Sequence, residues 1–598
     1  MRTVPLSQAD VGSPANTVQN EVTVAVSPTT GTILAGWNDI VFTGGPPSCA
    51  STFSISGWAR STNGGVSFDD RGALPCPLVG GGSPRLVIGD PALGVDAAGH
   101  FAYASLCIEG TLGNSSICTY ASSDDGATFT NPSDIFLSPV DFNDKEYIAV
   151  DRGSSACAGS LYISWTQFNP VYVAIRLARR TYNVVANEWV PAGGAALIAI
   201  DLGLAGTFVQ GSIPVVDPVD GSVYVVWAEQ SFSSFGSRTI HMRKSTNCGV
   251  SFGPDVVVGT TPGVGSVQFP SCIDFSSFPF PCNPVRSFVV ITSAAVGPDQ
   301  HIHVVWNGGG LQAGDLSDVA YVNCTPAPAC GSIVRINNTL PGRKDFQPWV
   351  TVATGVTAGG IVDIIWYSNR DGFSGVRPLV EVDEARCIVA CTTTPTNLKV
   401  TNDGPEGPFV PAALGFGAYW GDYINVQANG NCIVKGWGDN RANPANALAG
   451  VPVVGTPDTG VEVRVEVSEL VAGACPSGSI PDRGLLDVIP AAANSGEVKQ
   501  PDLKVTATKI SANPLRSGSV ALFRVEGQGI ASVSVQVFSL NGQTLYESGW
   551  TRNTELRWTL QDRQGRRVAN GIYFYVISVR GEDGKLIRSE VRKLVLLR

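Results

Sequence analysis

The chain is short of charge: Lys, Arg, Asp and Glu make up 15% of its 598 residues, where about a quarter is usual. It has no basic excess either. Forty Lys and Arg stand against fifty Asp and Glu, a net charge of −10, which argues against nucleic acid or an anionic membrane surface as partner. No apolar run is long enough to span a bilayer, so a membrane-spanning protein is not expected. The opening MRTVPLSQAD lacks the apolar core of a signal peptide. There is no Cys-x-x-Cys pair, and the four histidines do not cluster with cysteines, which removes the usual zinc patterns. His301 and His303 lie two apart on one strand face and read as packing residues. EF-hand loops, Gly-x-Ser-x-Gly elbows and phosphate loops are also missing. Neither a metal nor a cofactor is expected.

What the chain has is Gly (68), Pro (39) and 43% hydrophobic residues in short runs, the composition of an all-β protein with many turns. Its length calls for more than one core. Fourteen cysteines are present. Cys107 with Cys118, Cys272 with Cys282, Cys324 with Cys330 and Cys387 with Cys391 lie close enough to close short loops, and Cys49 with Cys76 a longer one. Cys157, Cys248, Cys432 and Cys475 remain, with no pairing readable from sequence. Disulfides imply an oxidising compartment, extracellular or cell-surface, with hyperthermophile cytosol as the exception. A leader is then expected to have been removed from this numbering.

A repeat of roughly 60 to 80 residues runs through the chain: an apolar strand, a Gly turn, then a second apolar strand that usually ends in Trp. TGTILAGWND ends at Trp37, AGSLYISWTQ at Trp165, DGSVYVVWAE at Trp227, DQHIHVVWNG at Trp306, GGIVDIIWYS at Trp366 and GNCIVKGWGD at Trp437, and AGHFAYASL places Tyr103 equivalently. Such a unit cannot bury both faces of its sheet, but sheets packed radially can. The period is that of propeller blades. Seven markers predict a seven-bladed β-propeller; a six-bladed ring with one marker outside it is the runner-up.

Three repeats also carry Ser-x-Asp/Asn-x-Gly-x-Ser/Thr-Phe: STNGGVSF (Asn63, Gly65), SSDDGATF (Asp124, Gly126) and STNCGVSF (Asn247, Gly249). The pattern resembles the Asp-box of sialidases and related propellers. The resemblance implies a hairpin turn between a blade's third and fourth strands, in which the Asp or Asn bonds the turn backbone and the Gly takes a positive φ. It covers about three quarters of the chain and is structural, with no catalytic content. Sialidases also use three arginines, a Tyr nucleophile assisted by Glu and an Asp acid/base on the propeller face. Their first arginine lies in a Phe/Tyr-Arg-Ile-Pro motif; here the only arginine before the first repeat is Arg2, which counts against sialidase activity.

Residues 471–505 are rich in small residues and Pro and read as a linker after a propeller over 1–470. Residues 506–598 alternate apolar and polar around Asn541-Gly542, Gln564-Gly565, Asn570-Gly571 and Asp583-Gly584, the pattern of a small Ig-like β-sandwich. The stretch from Trp558 to Tyr575 resembles hook-capping-type and C-terminal sorting-type Ig-like domains of secreted bacterial proteins, which implies an adaptor or surface handle; a plain accessory sandwich is the alternative.

Polar residues recur where inner strands begin and second strands end, positions that share one face of an up-and-down ring. IGDPALGVD supplies Asp90; FNDKEYIAVD supplies Asp144, Lys145 and Glu146; RKDFQPWV supplies Arg343, Lys344 and Asp345; GAYWGDYINV supplies Tyr419, Asp422 and Tyr423; Arg370 and Arg441 follow second strands. Glu146, Asp345 and Tyr423 are the candidate acid/base and nucleophile set. Asp144, Arg343, Arg370, Tyr419 and Arg441 are candidates for substrate binding. The competing reading makes them turn formers and surface ion pairs. Three functions remain open: a glycan-active enzyme, an adhesion protein binding extracellular glycan or protein, and a self-associating structural subunit. Fold alone does not choose among them.

Overall fold

The structure is a computed structural model. It describes residues 3–5, 18–40, 54–65, 67–75, 85–109, 114–193, 197–203, 207–231, 237–263, 291–315, 317–354, 357–370, 373–374, 377–378, 380–400, 421–439, 462–470, 475, 480–481, 504–511, 515, 520–539, 544–548, 551, 554–562, 566–581, 586–589 and 592–596. Every regular element among them is a β-strand, and none is a helix long and apolar enough to cross a membrane. The chain divides into two compact units, residues 1–402 with 406–489, and 403–405 with 490–598.

Among the described residues, the first unit contains seven principal sheets built on antiparallel strands, whose first three strands follow chain order outward. Their first strands are Val18–Val26, Arg85–Val95, Phe142–Val150, Thr207–Val216, Ser293–Val296, Asp345–Ala353 and Asn425–Asn429. Each first strand packs on the next, and the last returns to the first, so the sheets form a closed ring of the propeller type. The seventh sheet takes its outermost strand, Thr3–Pro5, from the start of the chain, paired with Glu462–Glu469. The ring is thus closed by strand pairing between its two chain ends.

Packing between sheets explains the Trp pattern. Trp37, Trp165, Trp227, Trp306, Trp366 and Trp437 are all buried, at most 1% exposed. Each ring withdraws ~150–250 Å² from water, roughly 4–6 kcal/mol of transfer free energy before entropy is counted. Close approach also needs small residues. A Cβ on Gly36 of the first sheet would lie 2.8 Å from the Tyr103 ring of the second, whose hydroxyl donates to Gly57 O at 3.0 Å.

Three turns share one construction. In each, a Ser hydroxyl accepts from the Gly amide and an Asn or Asp carbonyl or carboxylate oxygen accepts from a later amide. The pairs are Gly65 N to Ser61 (2.9 Å) with Ser67 N to Asn63 (3.0 Å), Gly126 N to Ser122 (2.9 Å) with Thr128 N to Asp124 (2.9 Å), and Gly249 N to Ser245 (2.9 Å) with Ser251 N to Asn247 (3.0 Å). The three glycines have φ of +81°, +78° and +72°. A Cβ on Gly126 would strike Leu34 of the preceding sheet at 2.5 Å. The turn therefore seats its own sheet on its neighbour.

Cys107–Cys118, Cys324–Cys330 and Cys387–Cys391 are bonded within single sheets. Cys157–Cys248 joins the third sheet to the turn of the fourth, and Cys432–Cys475 ties Cys475 to the seventh. Cys49, Cys76, Cys272 and Cys282 lie outside the described residues. Ile480–Pro481 also pairs with Glu462–Glu469, so two described parts of the stretch read as linker are attached to the first unit.

Among the described residues, the second unit has a three-stranded and a five-stranded sheet sharing one core that includes Phe523, Val535, Trp558 and Tyr575. Trp558 is fully buried, and its Nε1 donates to Gln561 O at 2.8 Å. Of the turns anticipated here, Asn541-Gly542, Gln564-Gly565 and Asp583-Gly584 lie outside the described residues.

Candidate functional site

One irregularity recurs at the same point of the ring. Five inner strands insert an extra residue into their pairing, between Asn20 and Thr23, Gly89 and Ala92, Asp144 and Tyr147, Gln210 and Ile213, and Phe346 and Trp349. The first residue of each bulge is left-handed: Glu21 (φ 55°), Asp90 (54°), Lys145 (55°), Gly211 (67°) and Gln347 (51°); Gly421 (84°) stands at the same place in the seventh repeat. A non-Gly residue there costs of order 1–3 kcal/mol. Bulges of this kind re-aim side chains, and here they bring charge together.

Lys145 is the hub. Its Nζ lies 3.2 Å from Glu21 Oε1, 2.9 Å from Asp90 Oδ1 and 2.9 Å from Asp422 Oδ2. These residues come from the third, first, second and seventh repeats. The Lys145 amide donates to Asp90 Oδ2 (3.1 Å), Asn38 Nδ2 to Glu21 Oε2 (2.9 Å) and the Asp422 amide to Glu21 Oε1 (3.1 Å). Gly421 makes room: a Cβ there would lie 2.5 Å from Glu21 Cγ. All four charged side chains are at most 9% exposed. Burial is the largest influence on the carboxyls of Asp90 and Asp144 and raises both above the usual range; Lys145 opposes it.

Glu146 sits beside this hub, fully buried, and neither carboxylate oxygen has a hydrogen-bond partner among the described residues. Burial, then the Asp90 charge, pushes its carboxyl well above the usual range, which favours the neutral acid. Tyr423 is 2% exposed and its hydroxyl donates to Pro91 O at 3.0 Å. Its ring meets Tyr147 at 5.2 Å, and Tyr147 meets Trp349 at 5.2 Å; Lys145 Nζ lies 5.6 Å from the centroid of the Tyr423 ring.

Asp345 is elsewhere. It is fully buried and accepts from Trp366 Nε1 (2.9 Å), Asn337 Nδ2 (2.8 Å) and Thr339 Oγ1 (2.5 Å), fastening its own sheet to the segment before it. Burial raises its carboxyl to about 7. The structure therefore brings Glu146 and Tyr423 to one hub and leaves Asp345 in another network. Arg343 is half-buried. Arg370 Nε donates to Asp383 at 2.7 Å, with Nη1 on Asn338 at 2.7 Å and Nη2 on Asn397 at 3.0 Å. Tyr419 and Arg441 lie outside the described residues. His303 is fully buried against the Tyr321 hydroxyl (2.8 Å), with burial lowering its imidazole to about 4. No group of acids, His or Cys among the described residues is arranged to hold a metal.

Asp144 is the half-buried member of the acidic group, and Gln210 Nε2 donates to it at 2.9 Å. Two residues outward on the same strands stand Phe142 and Phe208. Phe168 joins them: its ring centroid is 6.3 Å from Phe142 and 5.5 Å from Phe208. Phe142 is 43% exposed, beside exposed Val140 and Val171. Because side chains alternate along a strand, the polar pair Asp144–Gln210 and the ring row share one surface at the mouth. The ring row was missed in the sequence. The spacing F-x-D in FNDKEY and F-x-Q in TFVQG carried the signal, but only with the two strands known to be neighbours.

No family model and no curated protein matches this chain. Solved structures similar to it include an α-L-arabinanase of Penicillium chrysogenum complexed with arabinobiose (16% identity, 60% of this chain and 91% of that one, TM-score 0.38). A GH93 α-L-arabinofuranosidase of Fusarium graminearum (11%, 61% and 92%, 0.40) and a Hadza microbial sialidase (10%, 58% and 63%, 0.34) are others. Likeness at this level assigns no substrate and no residue role.

Proposed function

We propose that this chain is an extracellular seven-bladed propeller of the Asp-box kind with an Ig-like C-terminal sandwich as its handle, and that it binds a glycan at the ring mouth without cleaving it. The domains would be the propeller over 1–470, a linker over 471–505 and the sandwich over 506–598. The observation that carries the binding reading is the row Phe142–Phe168–Phe208 ending on Asp144 and Gln210. Aromatic faces suit the apolar faces of sugar rings, and a few convergent polar groups fix orientation. The groups that cleavage would need are engaged or sealed: Glu146, Asp345 and Tyr423 are 0%, 0% and 2% exposed. Five disulfides fit an oxidising compartment.

A glycan array followed by calorimetry on the full chain tests this. Binding to a glycan that weakens by about tenfold in Phe142→Ala, with no reducing sugar released, supports it. Turnover that is lost in Glu146→Gln would replace it with a glycosidase. Exposed Val140 and Val171 beside the rings favour, as second reading, an adhesive contact with a protein or a second copy; retention of a protein partner in place of any glycan would select it.

A further inference from the structure

The inner strands of all seven sheets line a cavity of about 360 Å³ on the ring axis. Tyr147 and Trp349 stand at its mouth-side end; Arg152, Pro218 and Thr354, which follow their inner strands, stand at the other. Tyr147 and Trp349 therefore stand between the cavity and the residues of the hub, and Arg152 belongs to the opposite end of the inner strands. A site of this volume is at the small end for ligand pockets.

Its lining is mostly small and aliphatic, with one charged side chain, Arg152. Arg152 Nε donates to Val95 O at 2.8 Å, anchoring the guanidinium to the neighbouring sheet, and its two Nη groups bond no described residue. The Asp96 carboxylate acts on it electrostatically, but no hydrogen bond joins Arg152 to either acid beside it. Asp96 accepts from the Ala98 and His100 amides and pairs with the His100 ring at 2.7 Å; Asp151 accepts from the Gly153 amide and the Ser155 hydroxyl. From the seventh sheet, half-buried Gln427 adds an amide with no hydrogen-bond partner among the described residues. Burial lowers the Arg152 guanidinium to about 10, so it remains a cation at neutral pH.

We infer that this axial cavity is a ligand site for a small polyhydroxylated carboxylate of the hexuronate class, with Arg152 holding the carboxylate and Gln427 a ring hydroxyl. A guanidinium fixed at Nε keeps its outer edge for a two-point carboxylate contact. Arg152 is the one cation of the lining, with the Asp96 carboxylate acting on it from outside the lining; the cation selects an anion, and the small volume selects a monosaccharide over a chain. The inference stands apart from glycan binding at the mouth, which uses other residues.

Calorimetry of the full chain with glucuronate, glucose and sodium sulfate tests it, with thermal melting of each variant as the fold check. Glucuronate is expected to bind and glucose to bind at least about tenfold more weakly. Arg152→Met is expected to lose about tenfold or more, while Arg152→Lys, which keeps the charge but not the two-point contact, is expected to fall between it and the wild type. Equal binding of glucose, equal losses in the Met and Lys variants, or absence of glucuronate binding would each overturn it. Sulfate binding as tightly as glucuronate would reduce the cavity to a bare anion site and overturn the sugar assignment.

Discussion

Lys145 Nζ lies 2.9 Å from Asp90 Oδ1 across the junction of the second and third sheets, and both residues are held there by left-handed backbone. The contact is one arm of a hub that reaches four repeats. Removing one partner from such a buried set leaves uncompensated charge. Lys145→Met is expected to destabilise the ring by roughly 3–5 kcal/mol, read as a lowered midpoint in urea. Adding Asp90→Asn should recover part of that loss. A double variant as weak as the sum of the singles would show that the two side chains do not act together.

Glu146 gives a pH signature. Its folded-state carboxyl is raised, so the folded chain keeps a proton that the unfolded chain has released. Above the usual carboxylate range the unfolded state binds fewer protons, and stability falls as pH rises. Glu146→Gln, which mimics the neutral acid, should melt like the wild type near pH 4 and above it by pH 8. A gap that closes or reverses with rising pH would place an ionised carboxylate there.

The disulfides should differ in weight. Cys157–Cys248 spans 91 residues and Cys387–Cys391 spans 4. Loop-closure entropy gives about 4–5 kcal/mol for the first and about 2 for the second. Replacing each pair by Ser and comparing melting temperatures checks the order; equal losses would mean that native packing, not chain entropy, sets the effect.

Gly126→Ala should lower stability by roughly 2–3 kcal/mol, combining a left-handed φ of +78° with a Cβ 2.5 Å from Leu34. Gly72 also has a positive φ (+77°) but open space around its Cβ, so Gly72→Ala should cost only about 1 kcal/mol. Chemical denaturation of the pair separates backbone strain from the inter-sheet clash.

The repeat was legible because local chemistry writes it. Trp37 through Trp437 mark second strands, and the Ser–Asn/Asp–Gly turns are made by residues four or fewer apart, so their hydrogen bonds are encoded within one short segment. Asp90, Asp144, Lys145 and Asp422 were legible as a polar group at one face. Their partner Glu21 was not, because nothing in NEVTVAV announces a bulge that turns an alternating strand residue toward the axis.

By itself, then, the sequence determined an all-β chain of repeated sheets, its turn chemistry and several short disulfides, all set by contacts local along the chain. Only the tertiary structure decided which charges meet. Glu21 and Asp422 are 401 residues apart yet share a hydrogen bond, and Asp345, placed by the same pattern as Glu146, faces another network. Ring closure fixes those distances, and no short-range periodicity contains them.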